Sequence, residues 1–292
     1  MDTLSLKAMA KINLGLDVVR RLPSGYHEVR MVMQTIGLYD MLSFTKVGSG
    51  ITIETDQVSL PGDENNLIYK AARLFEETYG LPSGVSIRLE KRIPMAAGMA
   101  GGSTDAAATF VGLNTLFAKG ISREELSGLS VKVGADVPYC IMGGTMLSEG
   151  IGEILTPLPA PPSCHVLIAK PDIDVSTKYV YENLHANELK HHPDMDAVIA
   201  AIRGGDLSGM CTSLENVLET VTGREYPVIG RIEEQMKACG AKAALMSGSG
   251  PTVFGLFERK EDAEKAKAAL REDKLAKDLF VTAFTDKTCV PV

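Results

Sequence analysis

Between an alternating segment and a helix-forming one, the chain reads Pro94-Met95-Ala96-Ala97-Gly98-Met99-Ala100-Gly101-Gly102-Ser103-Thr104-Asp105-Ala106-Ala107-Ala108, and no other stretch restricts the fold as tightly. Ahead of it, Val85, Ile87 and Leu89 alternate with Ser86, Arg88 and Glu90, the period of two of a strand with one buried face. Behind it, the spacing predicts a helix from about Thr104 to Phe117. The chain must therefore pass from strand to helix through a loop made almost entirely of small residues. Such residues let backbone N–H groups approach a ligand closely, and the helix start adds unpaired donors and a partial positive charge, so phosphate is the natural occupant. Read alone, the loop is either that cradle or a flexible connection. It is not a P-loop, because no Gly-Lys-Ser/Thr follows, and it lacks the Gly-x-Gly-x-x-Gly dinucleotide pattern.

The N-terminal part supplies a second strong period. Leu4, Leu6, Ala8, Ala10, Ile12, Leu14 and Leu16 occupy every even position, which predicts a strand with these residues on its core face and Lys11 and Asn13 on the other. Gly25 and Tyr26 follow in a turn, Val29 to Leu38 and Asp40 to Thr45 read as two further strands, and Ile51 to Glu54 as a short one. Asp63 is expected to cap a helix with the stripe Leu67, Ile68, Ala71, Leu74 and Phe75, closed by Gly80. Ser122 and Glu125 form the pattern of a capping box for a third helix, ending at Gly134.

Pro157, Pro159, Pro161 and Pro162 interrupt regular structure and mark a linker. The chain is accordingly divided into an N-terminal unit, 1–156, and a C-terminal unit, 163–292. Past the linker come a strand (His165 to Lys170), mostly helical sequence to about Gly240, strands at Ala243 to Met246 and Thr252 to Phe257, a helix at about Glu261 to Glu272 and a strand at Phe280 to Thr285. That β-α-β-β-α-β order, with extra helices in the first crossover, predicts a ferredoxin-like half. The fold class is α+β.

A length of 292 residues suits two medium domains, and 45% hydrophobic with 23% charged residues suits a globular chain. The net charge of −7 argues against a nucleic-acid partner, which demands a basic face. No stretch approaches the roughly 20 apolar residues of a membrane span, and no signal peptide is visible, so a cytoplasmic location is expected. Cys140, Cys164, Cys211, Cys239 and Cys289 form no Cys-x-x-Cys pair and read as reduced thiols, with no zinc site. Oligomeric state is not readable from these features.

The small-residue loop resembles the Pro-x-x-x-Gly-x-Gly/Ala-x-Ser-Ser/Thr-x-Ala-Ala motif of the GHMP kinases, the group of galactokinase, homoserine kinase, mevalonate kinase and phosphomevalonate kinase. Ala10-Lys11-Ile12-Asn13-Leu14 resembles the first motif of that family, and Met246-Ser247-Gly248-Ser249-Gly250-Pro251-Thr252-Val253-Phe254 its third. All three stand in order across nearly the whole chain. Gly25-Tyr26-His27-Glu28, Gly134-Ala135-Asp136-Val137-Pro138 and Val175-Ser176-Thr177 are similar to marks of the branch that acts on a cytidine-diphosphate-linked sugar alcohol in isoprenoid precursor synthesis. Ala96, Ala97 and Ala100 depart from relatives that carry Gly there.

The resemblance implies a two-domain GHMP kinase fold and transfer of the ATP γ-phosphoryl group, with Mg²⁺, to the 2-hydroxyl of that alcohol. It implies that Asp136 is the general base, with Lys11 keeping it ionised and steadying the transferring phosphoryl. Asn66 and the run Pro94 to Thr104 would hold ATP, with Ser103 and Thr104 nearest the phosphates. Asn13, Tyr26, His27, Thr177 and Tyr181 would hold the second substrate, and Ser247, Gly248, Ser249 and Gly250 are the third-motif residues at the site. No protein metal ligand is assigned. From the residues alone, Lys11 is equally a solvated lysine, Asp136 a helix-end carboxylate, Tyr26 and His27 a polar turn, Tyr181 core packing, Asn66 a helix-start residue and Asp105 a first-turn acid favoured by the helix dipole. A kinase for homoserine or mevalonate, a diphosphate decarboxylase, and a non-catalytic ligand-binding relative are the alternatives.

Overall fold

A computed structural model describes residues 1–292. The first unit runs β1 (Thr3–Arg21), β2 (His27–Val47), β3 (Ile51–Thr55), α1 (Leu67–Tyr79), β4 (Gly84–Glu90), α2 (Gly101–Leu116), α3 (Arg123–Ser130), α4 (Val137–Met142), β5 (Thr145–Glu149) and β6 (Ile154–Pro157). The second runs β7 (His165–Lys170), α5 (Thr177–Asn183), α6 (Met195–Gly204), α7 (Leu207–Ser213), α8 (Glu219–Glu225), α9 (Val228–Ala238), β8 (Ala243–Met246), β9 (Val253–Phe257), α10 (Lys260–Glu272) and β10 (Asp278–Ala283), before β11 (Val290–Pro291). No helix is long and apolar enough to cross a membrane.

The first sheet has the order β11-β1-β2-β4-β3, with β5 on β2 and β6 on β5. The two strands expected between Val29 and Thr45 are one strand, β2, whose free edge is shared: Met31 to Gln34 pair with β5 and Met41 to Val47 with β4. Between those stretches the register against β1 jumps, from Met9↔Tyr39 to Lys11↔Thr35, so extra β2 residues bulge out there and Ile36 bridges to Phe284 of the second unit. The same irregularities divide the even positions of β1 between two cores. Leu4, Leu6, Ala8, Leu16 and Val18 pack in one, and Ala10, Ile12 and Leu14 in the other, against β7, β9, α6 and α7. Lys11 and Asn13 are buried as well, at 5% and 0% exposure, so the face predicted to lie off the core is an interior wall.

The second sheet has the order β10-β7-β9-β8 with every neighbouring pair antiparallel, the ferredoxin-like arrangement, and α5 to α9 fill the first crossover. The units are joined at both ends. Pro157, first of the linker prolines, already pairs with Met146 as the end of β6, while β11 returns to pair Leu6↔Pro291 and Lys7↔Val290. We propose 1–156 and 163–292 as the two units, with that last strand reaching back to the first sheet.

The helices around the loop form for identifiable reasons. α1 is capped by Asn66, whose Oδ1 accepts from Ile68 N at 2.9 Å, and not by Asp63, which lies outside the helix and accepts from Asn65 N in a turn. α3 begins at Ser122 as expected, with Glu125 N donating to Ser122 Oγ at 3.1 Å, but the Glu125 carboxylate accepts from Tyr79 Oη and does not complete a capping box. The helix stops at Ser130 and Gly134 sits in the turn before α4. α2 is small and apolar on all sides and is correspondingly interior, packing so closely on β2 that a Cβ on Gly112 would stand 2.5 Å from the Phe44 ring.

Candidate active site

The small-residue loop leaves β4 and turns into α2 through three backbone positions of positive φ: Ala96 (48°), Gly98 (68°) and Ala100 (56°). Gly98 has no substitute there, since a Cβ would stand 2.1 Å from Ser247 O. The two alanines adopt the left-handed conformation at a cost of about 1 kcal/mol each. Ala100 is the residue immediately before α2, which starts at Gly101 rather than at Thr104.

Gly98 O is the meeting point of the three motifs. It accepts from Lys11 Nζ at 3.1 Å and from Ser247 Oγ at 3.0 Å. Lys11 Nζ also donates to Asn13 Oδ1 at 2.8 Å, and Asn13 N donates to Ser247 Oγ at 3.3 Å. The third-motif loop is held from below by Asn216, whose Nδ2 donates to both Met246 O and Gly248 O at 2.8 Å.

These motifs wall a cavity of about 870 Å³ between the units. Of the expected residues, Lys11, Asn13, Tyr26, His27, Asn66, Pro94, Met95, Ala96, Ala97, Gly98, Ala100, Gly101, Gly102, Ser103, Asp136, Thr177, Tyr181, Gly248, Ser249 and Gly250 line it. Met99, Thr104 and Ser247 stand behind the wall. Met99 is core, Thr104 Oγ1 donates to Met9 O at 2.5 Å, and Ser247 Oγ is bound to Gly98 O. The expectation that Thr104 reaches phosphate is corrected on that ground: its hydroxyl ties α2 to β1.

Asp136 precedes α4 and reaches the cavity without capping that helix. It makes no ion pair with Lys11, whose ammonium is engaged by Asn13 and Gly98. At the other end of the cavity the His27 and Tyr181 rings lie 5.0 Å apart at 42°. Burial, then the nearby Arg21 charge, lowers the His27 pKa and favours a neutral ring that both donates and accepts. Burial, then the Asp136 charge, pushes the Tyr181 hydroxyl well up, so it stays protonated. Tyr26 is 61% exposed at the cavity rim. Thr177, first residue of α5, shares a 2.9 Å hydrogen bond with Ser249. Asn66 is both cap and wall: its Nδ2 donates to Pro61 O, leaving a second amide hydrogen free.

Lys91 and Asp105 also line the cavity and were not singled out as site residues. Asp105 is 3% exposed and ion-paired to Lys91, and because α2 starts at Gly101 it lies past the first turn in which the sequence placed it. The one available signal was a charge in an otherwise small and apolar helix. The five cysteines are unpaired, and burial raises the thiol pKa of Cys140, Cys164, Cys211 and Cys289.

Two family models match the chain, the GHMP kinases N-terminal domain over residues 66–144 and the GHMP kinases C-terminal domain over 194–275. A 4-diphosphocytidyl-2-C-methyl-D-erythritol kinase of Lachnoclostridium phytofermentans is 53% identical over 285 residues, covering 97% of this chain and 98% of its own. The Geobacillus kaustophilus protein of the same name is 49% identical over 270 residues, 92% of this chain and 93% of its own. Among solved structures, a 4-(cytidine 5'-diphospho)-2C-methyl-D-erythritol kinase superposes with a TM-score of 0.83 at 33% identity, over 97% of this chain and 100% of the other. Homoserine kinase from Cytophaga hutchinsonii superposes with a TM-score of 0.79 at 21% identity, over 100% of this chain and 97% of the other, a likeness of fold alone. With both family models matched in order and relatives half identical over nearly their full length, the chain belongs to the GHMP kinases.

Proposed function

We propose that this chain transfers the γ-phosphoryl group of ATP to the 2-hydroxyl of 4-diphosphocytidyl-2-C-methyl-D-erythritol, in the cytoplasm. The observation that carries the reading is one cavity walled at once by the phosphate loop, by Lys11 and Asp136, and by the His27–Tyr181 ring pair. The backbone N–H groups of Ala96 to Ser103 and the start of α2 bind the ATP phosphates. The neutral His27 ring and the Tyr181 face take the cytosine, one by hydrogen bonds and the other by stacking, with Tyr26 at the rim and Asn13 and Thr177 along the alcohol.

Phosphoryl transfer asks for positioning and charge stabilisation rather than covalent help. Asp136 accepts the proton of the attacking hydroxyl. Lys11 has three N–H donors, of which Asn13 and Gly98 take two, leaving one for the charge that gathers on the transferring group. The chain has no cluster of three or more His, Cys, Asp or Glu side chains that would cage a cation. Ser103, which lines the cavity at the loop, would be the hydroxyl beside a Mg²⁺ ion arriving on the nucleotide phosphates. When bound, the ion supplies neutralisation of the β- and γ-phosphate charge.

Recognition of the base is tested with His27→Ala. A site that hydrogen-bonds a base leaves its own polar groups unpaired when the contact is cut. The KM for the CDP-linked substrate should rise at least about tenfold with the KM for ATP unchanged. An equal rise for both substrates, or none, would remove His27 from base recognition.

A further inference from the structure

A buried cluster of three titratable side chains, Asp40, Lys91 and Asp105, closes the neck of the phosphate loop. Lys91 stands just before the loop and Asp105 one turn into α2, just after it, and Lys91 Nζ donates to Asp105 Oδ2 at 2.9 Å. The same ammonium is hydrogen-bonded closely to Asp40 Oδ2, from β2. The other oxygen of Asp40 accepts from the backbone N–H groups of Arg92 at 2.5 Å and Ile93 at 2.7 Å, the two residues that enter the loop. One carboxylate therefore fixes the incoming chain, the other the outgoing helix, and the lysine joins them.

The side chains of Lys91, Asp40 and Asp105 are only 6%, 0% and 4% exposed. A buried cluster of this kind contributes little net stability compared with apolar packing of the same volume, because desolvation offsets the attraction. Its specific product is geometry. The fit is close, since a Cβ added to Gly101 would stand 2.9 Å from Lys91 Nζ. Asp105 is the less satisfied carboxyl: its Oδ1 has no partner, and burial, opposed by Lys91 and aided by Asp40, pushes its pKa up to about 8.

We propose that Asp40, Lys91 and Asp105 form a clasp of positioning residues that holds the two ends of the loop at the separation its N–H groups need to converge on the nucleotide phosphates. The inference rests on the assignment of that loop to ATP. Loss of the clasp acts on nucleotide binding and spares the cytidine end of the cavity, which the cluster does not touch.

The test compares wild type with Asp105→Asn at about pH 9, above the value of about 8 to which burial pushes the Asp105 carboxyl, so that the substitution keeps the shape and removes the charge. ATP affinity is measured by calorimetry, and the KM for the CDP-linked substrate at saturating ATP. The expected result is about tenfold weaker ATP binding with the second KM within twofold of wild type. Should Asp105→Asn fail to fold, Asp105→Leu serves instead, because Lys91 keeps Asp40 as its counter-charge and Asp40 keeps its two backbone donors. Unchanged ATP affinity in either folded variant overturns the clasp, and so does equal weakening toward both substrates, the mark of a merely structural cluster. A wild-type protein that does not bind ATP overturns the assignment of the loop itself, a distinguishable failure.

Discussion

At the scale of single residues, Lys11 shows how burial changes a reading. In the sequence it is an odd-position lysine like Lys7, and only the resemblance of its neighbours to a family motif separated the two. In the structure its ammonium is 2.8 Å from Asn13 Oδ1 and 3.1 Å from Gly98 O, beneath a cavity that Asp136 also faces. The expected ion pair with Asp136 is replaced by those two contacts. In the proposed mechanism Lys11 would accordingly act chiefly on the phosphoryl group and Asp136 on the hydroxyl. Asp136→Asn keeps the shape but accepts no proton at neutral pH, and Lys11→Met keeps much of the length without the charge. Each should lower kcat by about a hundredfold or more with ATP binding retained, in the range of general-base and electrostatic groups. The double variant should lose less than the product of the two, as residues acting in one step do. Steady-state kinetics on folded variants decide it: near wild-type kcat in Asp136→Asn would assign the proton to the phosphate itself. The alanines at positive φ mark the limit of sequence reading at this scale. The loop's small residues were legible, but not which of them adopt the left-handed conformation, nor that Ser247, remote in the chain, leaves no room for a Cβ at Gly98.

Whole elements were legible wherever their period was local. β1, β4, α1, α10 and the strand-loop-helix around Pro94 follow from alternation, apolar stripes and the small-residue run, although α1 is capped by Asn66 and not by Asp63. What long-range pairing decides was not: one long β2 instead of two strands, the bulge that sends Ala10, Ile12 and Leu14 into a second core, and the short strands β5, β6 and β11. Nor does spacing reveal the pair of carboxyls on α8 and α9, half-buried Glu219 and buried Glu233. Glu219 Oε2 accepts from Met246 N at 3.1 Å at the end of β8, and its pKa is raised mainly by burial. Beside it, burial, then the Glu219 charge, pushes Glu233 up to about 8, with Lys237 opposing and Glu234 adding slightly. An acid with a raised folded-state pKa keeps its proton longer in the folded chain than in the unfolded one. The stabilisation from Glu233 is thus complete below its ordinary value of 4.5 and is lost as pH climbs through about 8. Urea unfolding of wild type should show stability falling with pH over that interval relative to Glu233→Gln. Two parallel curves would contradict the assignment.

For the molecule as a whole, the order of strands and helices sufficed to foresee a ferredoxin-like second half, and the observed β10-β7-β9-β8 sheet has that order. The cavity between the units could be anticipated only through resemblance, because its walls come from Lys11, Asn66, Asp136, Tyr181 and Gly248, positions that no local pattern brings together. Its two ends differ in chemistry, small-residue backbone at one and aromatic rings at the other, and on that asymmetry rests the proposed placement of ATP and a cytidine nucleotide in one chamber. The most direct measurement incubates the purified protein with ATP, Mg²⁺ and a panel of sugar alcohols, with and without the CDP group, and follows products by mass. The expected result is one added phosphoryl group on 4-diphosphocytidyl-2-C-methyl-D-erythritol, dependent on ATP, with the cytidine-free alcohols left unmodified. Equal phosphorylation of an alcohol lacking the CDP group, or no phosphorylation of the CDP-linked one, would contradict the account.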